Sequence, residues 1–413
     1  MARKMKDSGI EWIGEIPEGW EVGQIGQLYS ERRTKVSDKD YPPLSVTMKG
    51  ILPQLSTAAK TDAHDDRKLV CKGDFAINSR SDRRGSCGIS EQDGSISLIN
   101  TVLQPRREMD PGYYNWLFHT SMFADEFYKW GHGIVDDLWT TGWSDMKKIG
   151  VPVPSKCEQK QLAEHLNVEC SHIDSMLSKT RSSIEEYKKL KQAIITQAVT
   201  KGVRGEREMK DSGVEWIGTY PSNWKIIKIK WLLYERKDRS VTGLEEPLSM
   251  SQKKGLIPTK NMDSIPNIAS SFIGAKLVYK GDLVFNKLKA HLGVFSVSKY
   301  NGLVSPDYAV YYSTGPANLN FLELLFKTPQ YINEFKKKSS GVGAGLTRLY
   351  TGDLYSIYCA LPPLVEQEEI ADYLDIKCAE IDKLIAKKEQ LVIELESYKK
   401  SLIYEVVTGK REV

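Results

Sequence analysis

The sequence predicts a mixed α/β protein, with two similar globular domains separated by a long antiparallel two-helix coiled coil and related by a pseudo-two-fold internal repeat. Three observations lead to this prediction. A long segment near the start of the chain recurs in its second half, short apolar runs bounded by turn residues fill each half, and a sustained helical pattern ends each half.

The repeat is clearest in two sixteen-residue segments, MKDSGIEWIGEIPEGW at 5–20 and MKDSGVEWIGTYPSNW at 209–224, which share eleven identities. The triplet KGD then recurs at 72–74 and 280–282, with the offset grown from 204 to 208. That offset persists to the EQ pairs at 158–159 and 366–367. We expect domains at 1–156 and 204–363, and helices at 157–203 and 364–413.

The globular parts combine strands with helix. Apolar runs such as KLVYKGDLVFN and GLVSPDYAVYY are bounded by Gly, Asn and Pro, which is typical of strands and turns. One helical stretch is predicted in each copy, around 113–130 and 319–338, from apolar residues at three- and four-residue spacing.

Apolar residues alternate at spacings of four and three along both terminal helices, a 3.5-residue period that indicates a left-handed coiled coil. We call these positions the seam: Leu166, Cys170, Ile173, Leu177, Ile184, Leu374, Cys378, Ile381, Ile385, Val392 and Leu395. Thr180 with Lys388, and Lys191 with Lys399, interrupt it. These polar residues either fix the register or lay a lysine stem along the seam with its ammonium in water.

Composition excludes some classes. The 58 basic and 54 acidic residues leave a net charge of only +4, so the charge distribution carries more information than the total. No apolar stretch approaches the roughly 20 residues that span a bilayer, and residues 1–20 do not resemble a secretory signal, so we expect a cytoplasmic protein without a membrane partner. The six cysteines contain no C-x-x-C motif and are predicted to be core residues, with no metal site.

The repeated SGIEWIGEIPEGW and SGVEWIGTYPSNW segments, the helix starts EQKQLAEHL and EQEEIADYL, and the endings AVTKG and VVTGK resemble the specificity subunits of type I restriction-modification systems. The resemblance covers essentially the whole chain. It implies two target-recognition domains that each read one part of a split DNA site, and two helices that act as spacer and docking platform for modification subunits.

The resemblance also implies a set of partners and cofactors. The chain itself would be non-catalytic and bind no cofactor, while methyltransferase subunits, expected to number two, would use S-adenosylmethionine. Restriction or translocase subunits would use ATP. Off-seam apolar residues either dock the modification subunits or pack against the recognition domains: Leu190, Ile195, Leu384 and Leu391.

Base-contacting residues cannot be transferred from the family by position, so we predict them from chemistry. Guanine is read best by Arg or Lys and adenine by Asn or Gln, which directs attention to polar turns between strands. Two turns differ between the copies, around 80–84 against 288–292 and 131–143 against 339–351. The resulting DNA-binding candidates are Arg80, Ser81, Arg83, Arg84, His132, Trp139, Thr141, Lys253, Lys254, Lys287, Lys289, His291, Arg348 and Tyr350.

Lys336 and Lys338 are expected to contact phosphates rather than bases. Similar scaffolds with dissimilar turns predict an asymmetric site, although solvated basic faces and merely variable loops explain the same residues. The apolar stripe from residue 162 to 198 would be roughly 54 Å long at about 1.5 Å per residue. Half-site centres could then lie up to about one and a half DNA turns apart, and a separation of one turn, about 10 bp, would place both on the same face.

Two functions of other classes remain as alternatives. One is a coiled-coil scaffold that binds nucleic acid without sequence preference. The other is a metal-dependent nuclease, since Asp307 followed by Glu334 and Lys336 imitates a PD…ExK site, although that motif should end a strand rather than lie in a helix. GVGAG at 341–345 resembles a dinucleotide loop only superficially, because no strand precedes it.

Overall fold

The computed structural model describes residues 3–54, 65–80, 83–133, 139–251, 254–264, 271–313, 315–341 and 347–413. These residues form two compact units, the first comprising Met1–Ser182 with Glu389–Val413 and the second Ser183–Lys388. Both units combine strands and helices, so the predicted mixed α/β class is confirmed.

The first unit contains short strands and helices before the first long helix. The strands are β1 Met5–Asp7, β2 Glu15–Pro17, β3 Glu21–Gln24, β4 Tyr29–Glu31, β5 Lys35–Val36, β6 Leu44–Thr47, β7 Gly50–Pro53, β8 Arg67–Val70, β9 Phe75–Asn78, β10 Cys87–Ile89, β11 Gly94–Ile96, β12 Asn100–Pro105 and β13 Gly150–Val153. The helices are α1 Ile25–Leu28, α2 Pro111–Phe118, α3 Ser121–Lys129 and α4 Trp143–Met146, and the long helix is α5 Lys156–Lys201.

The second unit repeats this plan and is followed by the second long helix. Its strands are β14 Met209–Asp211, β15 Thr219–Pro221, β16 Lys225–Lys228, β17 Tyr234–Glu235, β18 Leu248–Ser251, β19 Gly255–Pro258, β20 Lys276–Val278, β21 Leu283–Asn286, β22 Phe295–Val297, β23 Gly302–Val304, β24 Tyr308–Tyr312, β25 Ser340–Gly341, β26 Thr347–Arg348 and β27 Tyr358–Leu361. The helices are α6 Leu319–Phe326, α7 Pro329–Lys338, α8 Thr351–Ser356 and the long α9 Leu364–Val407.

A four-stranded antiparallel sheet lies in each unit, in the order β10-β9-β12-β4 in the first and β17-β24-β21-β22 in the second. Side chains alternate between the two faces of a strand, and both faces are buried here. Phe75 joins the main core of the first unit, with aromatic residues of α2 and α3, whereas Ala76 joins a smaller cluster on the opposite face. In the second unit Phe285 joins the main core, and Val284 joins a smaller cluster on the opposite face.

The KGD triplets form the turn before the central strand of each sheet. Gly73 and Gly281 adopt φ of 88° and 94°, a left-handed conformation that glycine adopts without a Cβ penalty. Asp74 is buried and accepts hydrogen bonds from Arg32, whose pKa is raised by that contact. Asp282 accepts the equivalent pair from Arg236 at 2.8 Å. The KGD triplet therefore has a structural role, which is to form this turn.

The single helical stretch predicted in each copy is wrong in detail, because each is split into two helices. Between α2 and α3, the Thr120 hydroxyl accepts a hydrogen bond from the Phe123 N–H and begins a new helix. Between α6 and α7, Pro329 occupies the first turn after Thr328 and cannot continue the previous helix, since proline has no N–H. Apolar spacing alone did not reveal either break.

Within each unit the segments of α5 and α9 run antiparallel, as predicted. In the first unit, Asp174 pairs with Lys399 and Arg181 with Glu396. In the second unit, Lys191 pairs with Asp382, and Arg204, just beyond α5, pairs with Glu369. Residue numbers increase along α5 as they decrease along α9 in successive pairs, so the two helices run in opposite directions. The predicted domain boundaries stay a prediction.

Seam residues are mostly withdrawn from water. Leu166, Cys170, Ile173, Leu177, Ile184, Leu374 and Ile381 are buried, while Cys378, Ile385, Val392 and Leu395 are half-buried. Burial raises the pKa of the Cys170 thiol. The prediction that all cysteines are core residues is wrong for Cys157, which is exposed on the first turn of α5, and Cys71 is only half-buried. The place of each cysteine in the fold, not its residue type, decides its exposure.

Candidate nucleic-acid interface

The first predicted turn follows β9 in the first unit. Arg80 is exposed, and its N–H donates to the Asn78 side chain at 3.0 Å, which bends the chain away from the strand. Arg84 pairs with Asp125 at 2.7 Å, and its guanidinium lies 5.3 Å from the ring centre of Tyr128. Arg83 is exposed, and Ser81 lies outside the described residues. Arginine side chains therefore dominate the surface of this turn.

The second predicted turn of this unit is the stem of a hairpin. His132 and Thr140 exchange two backbone hydrogen bonds at 3.0 Å. The Trp139 ring lies against Gly131, where an added Cβ would approach the ring to 2.2 Å, and its indole N–H donates to the Tyr128 carbonyl at 2.8 Å. Glycine at 131 is thus required by the close approach of the indole.

A backbone hydrogen bond joins the two turns into one surface. The Thr141 N–H donates to the Ser79 carbonyl at 3.0 Å, and Arg80 forms a bridge with Thr140. The Thr141 side chain is fully buried, and its hydroxyl donates to the Phe127 carbonyl at 2.8 Å. The sequence favours Thr141 as a DNA-binding candidate, but the structure places its hydroxyl in the interior, where it fixes the hairpin to α3.

His132 extends from this surface with its side chain 77% exposed. Its Nε2 lies 3.6 Å from the Asp145 carboxylate. Hydrogen bonds from Lys148 and Ser144 lower the pKa of Asp145, and the neighbouring His132 adds to the effect. The imidazole is therefore accessible to a ligand and sits beside a fixed negative charge.

The second unit builds the same framework at positions shifted by 208. Ser340 pairs with Arg348 and Gly341 with Thr347 in the β25–β26 hairpin. The Leu349 N–H donates to the Lys287 carbonyl at 3.0 Å, matching the bond between residues 141 and 79. Equivalent backbone bonds thus hold equivalent turns in both units.

The side chains on this framework differ from those of the first unit. Lys289 is exposed, and His291 is half-buried with an Nδ1 that has no hydrogen-bond partner within the described ranges of the chain. Arg348 donates to Asp307 at 2.7 Å and lies 5.8 Å from the ring centre of Tyr350, which is 45% exposed. The second unit thus presents two lysines and one arginine, Lys287, Lys289 and Arg348, where the first unit presents the arginines of its turn.

The remaining basic candidates lie elsewhere in the second unit. Lys254 pairs with Asp263 at 2.7 Å, and Lys253 lies outside the described residues. Lys336 and Lys338 are exposed on the last turn of α7. Their positions leave both ammonium groups accessible to solvent.

Asp307 and Glu334, the acidic residues of the nuclease alternative, each lie beside a basic side chain. Asp307 is engaged by Arg348, while Glu334 lies within α7, where Lys337 approaches it to 3.8 Å. No cluster of three or more His, Cys, Asp or Glu able to hold a metal occurs in the described part of the chain. Of the GVGAG segment, only Gly341 is described, in β25.

No protein-family model matches the chain. The putative type I restriction enzyme MjaX specificity subunit of Methanocaldococcus jannaschii is 24% identical over 427 residues, covering 97% of this chain and 96% of the relative. The MjaVIII specificity subunit of the same organism is 22% identical, covering 96% and 94%.

Two solved structures have a fold similar to that of this chain. A chain from a study of complex assembly and conformational transition in the type I R-M system superposes with a TM-score of 0.71 at 12% identity, covering 96% of this chain and 99% of that one. The HsdS subunit from Thermoanaerobacter tengcongensis gives 0.57 at 15% identity, covering 96% and 98%. The chain is similar to type I restriction specificity subunits in sequence and in fold over nearly its whole length. The resemblance predicted from the repeated motifs is confirmed.

In this relative of the specificity subunits, the EQ motifs join each globular part to a long helix. The Gln159 side chain donates to the Pro154 carbonyl and accepts from the Asp110 N–H. The Gln367 side chain makes the same two kinds of contact with Pro362 and Asn318. Both glutamines are buried, which explains a polar residue at the start of an apolar stripe.

The glutamates of these motifs bind arginines that the sequence motifs do not single out. Glu158 pairs with Arg3, and the buried Glu366 pairs with Arg207. Positions 3 and 207 are separated by the early repeat offset of 204, as 158 and 366 are by 208. The internal repeat is therefore the sequence feature from which the second ion pair, Arg207 with Glu366, could have been predicted.

No helix in the described part of the chain combines the length and the hydropathy needed to cross a membrane.

Proposed function

We propose that this chain sets the DNA sequence specificity of a type I restriction-modification complex. Its relation to specificity subunits over nearly its whole length supports this role. As a relative of specificity subunits, it is a recognition subunit and not the catalytic one. S-adenosylmethionine and ATP belong in this proposal to separate methyltransferase and translocase subunits, and the complex works in the cytoplasm.

Each unit reads one half of an asymmetric, bipartite duplex site. One observation carries this proposal: the same backbone bond, Thr141 to Ser79 and Leu349 to Lys287, presents unlike side chains in the two units. A shared framework fixes the geometry of the turn, while different donors and acceptors select different bases.

The side chains divide between two roles. Arg80, Arg83 and His132 in the first unit, and Lys289 and His291 in the second, offer donors or acceptors to base edges. Thr141 and Trp139 hold the hairpin in place through bonds to α3 carbonyls. Lys254, Lys336 and Lys338 would contact phosphates, and Tyr350 and Arg348 form the side of the second surface.

Methyltransferase subunits dock on apolar side chains that lie off the seam. Leu190, Leu384 and Leu391 are 48%, 42% and 42% exposed, which favours a partner surface. Ile195, by contrast, packs against the core of the second unit, so it belongs to domain packing and not to the partner surface. Charged substitutions at Leu384 and Leu391 should therefore prevent complex formation, which a sizing column would detect.

The testing experiment is co-expression of the chain with its methyltransferase subunits, followed by single-molecule mapping of methylated adenines in host DNA. The expected result is a split, asymmetric motif that appears only with this chain. Arg80→Ala should relax only one half of the motif and Lys289→Ala only the other. Methylation of an unsplit motif, or none despite a stable complex, would refute the proposal.

Competition with random duplex separates a sequence reader from a scaffold that binds nucleic acid indiscriminately. A reader should prefer its site by about a thousandfold or more. Equal binding to both duplexes would favour the scaffold.

A further inference from the structure

Three cationic side chains converge beneath the recognition surface of the second unit. Lys276, in β20, is only 9% exposed and donates to Glu235 at 3.0 Å. Lys287, directly after β21, lies against Lys276, and Arg348 in β26 faces the same group. The cluster sits where the turn and the hairpin are joined by the Leu349–Lys287 bond.

Carboxylates do not balance this cluster. Glu235 pairs with Lys276, attracts the nearby Lys287 ammonium, and accepts a hydrogen bond from the Thr351 hydroxyl at 2.7 Å. Asp307 pairs with Arg348. Three cations thus face two carboxylates, one of them shared. The Arg348 Nε is buried and has no hydrogen-bond partner among the residues that the structure describes, so a donor in the cluster remains unused by them.

Such an arrangement is unfavourable without an additional anion. Burial, and then the neighbouring Lys276 ammonium, lowers the pKa of Lys287. Two ammonium groups held together repel each other, and a half-buried site screens that repulsion less than bulk water does. An anion placed beside Lys287 would remove this penalty and satisfy unused donors.

The first unit lacks this excess charge. Ser79 occupies the position of Lys287, and its hydroxyl lies 2.9 Å from that of Thr101. Lys68, the counterpart of Lys276, donates to the Asn100 carbonyl at 2.7 Å, so its ammonium has a neutral partner. The second unit therefore carries Lys287 and Arg348 where the first carries Ser79 and Thr140, and of these two cations Arg348 has its own carboxylate partner in Asp307.

We infer that Lys287 binds a phosphate of the DNA backbone beneath the second recognition turn, and that it positions this turn without reading bases. The inference rests on the proposed function and assigns an asymmetric task within it. The second unit gains an anchor that the first does not have. Lys289 and His291, next along the turn, remain free to face base edges.

The test compares Lys287→Ser, which installs the first unit's residue, with Lys280→Ser as the matched control. Both remove one positive charge, but Lys280 is exposed before β21 and Lys287 follows it, at opposite ends of one strand. Binding of the full chain with its partner subunits is measured against the mapped site and against random duplex over a salt series.

For Lys287→Ser we expect weaker binding to both duplexes by a similar factor, and a salt slope smaller by about 0.9, as for one lost phosphate contact. The methylated motif should be unchanged, and Lys280→Ser should behave as wild type. Unfolding curves of both variants are recorded alongside the binding measurements, so that a loss of folded protein is not taken for weaker binding.

Two outcomes would overturn the inference. A changed second half of the methylated motif would make Lys287 a base reader, and an unchanged salt slope would leave its ammonium as an internal group. Failure of the proposed function is distinct, because wild-type protein would then show no preference for any duplex. Inorganic phosphate added to the assay distinguishes the two possible ligands of Lys287. A general anion site would bind free phosphate as well as DNA phosphate, whereas a site for the DNA backbone would not.

Discussion

Lys399 donates to both carboxylate oxygens of Asp174, at 2.6 and 2.8 Å, across the paired helices of the first unit. The second unit holds the counterpart, in which Lys191 donates to both oxygens of Asp382 at 2.7 Å. Two of the three lysines that interrupt the apolar seam, Lys191 and Lys399, therefore have a carboxylate on the other helix, which favours the register explanation for this pair, whereas the Lys388 ammonium lies 5.8 Å from the ring centre of Tyr187.

Reversing one of these charges should weaken the helix pair. Lys399→Glu places two carboxylates together, and we expect a loss of about 0.5 to 1 kcal/mol in the free energy of unfolding, the usual scale for partly exposed pairs. Asp174→Lys added to Lys399→Glu should restore most of it. Denaturant unfolding of all four proteins in a double-mutant cycle measures the coupling, and zero coupling would contradict a register role.

The buried hydroxyl of Thr141 and the exposed ring of His132 should separate stability from recognition. Thr141→Val keeps the shape but leaves the Phe127 carbonyl unpaired, so we expect a loss of about 1 to 2 kcal/mol. His132→Ala should leave unfolding unchanged and alter binding at one half-site. Unfolding curves and methylation mapping check both, and a destabilised His132 variant would contradict this division.

Gln367 should be intolerant of a carboxylate. Its amide donates to the Pro316 and Pro362 carbonyls at 2.7 and 2.9 Å, and Gln367→Glu would replace these donors with an acceptor. We expect a loss of about 2 to 3 kcal/mol, since buried polar groups lose their partners. Exposed Glu368→Gln is the neighbouring control for thermal unfolding. Equal stability of the two variants would show that these bonds contribute little.

His119 should make the first unit sensitive to mild acid. Burial lowers its pKa from the usual value of about 6.5, although its ring hydrogen-bonds the Asn115 carbonyl. The unfolded chain then binds the proton more readily, so stability should be full above pH 6.5 and decline as the pH falls towards the folded pKa. His119→Gln should flatten this decline between pH 7.5 and about 5.5, and an unchanged pH dependence of unfolding in this variant would contradict the assignment.

The sequence by itself determined the architecture of repeats. Self-similarity requires equivalent elements, and a 3.5-residue apolar period requires paired helices because those side chains must leave water. It also located both variable turns. Local capping signals at Thr120 and Pro329 were present, but the apolar spacing continued through them and hid the break between helices.

Only the tertiary structure decided which side chains of the turns face inwards. Ser79 and Thr141 are far apart in sequence, and the bond between them forms when the sheet and hairpin pack together. Burial then fixes roles that residue type leaves open: Thr141 becomes internal, His132 stays exposed, and Lys287 meets Lys276. Packing between residues that are distant in sequence sets these environments, so the order of neighbouring residues along the chain does not predict them.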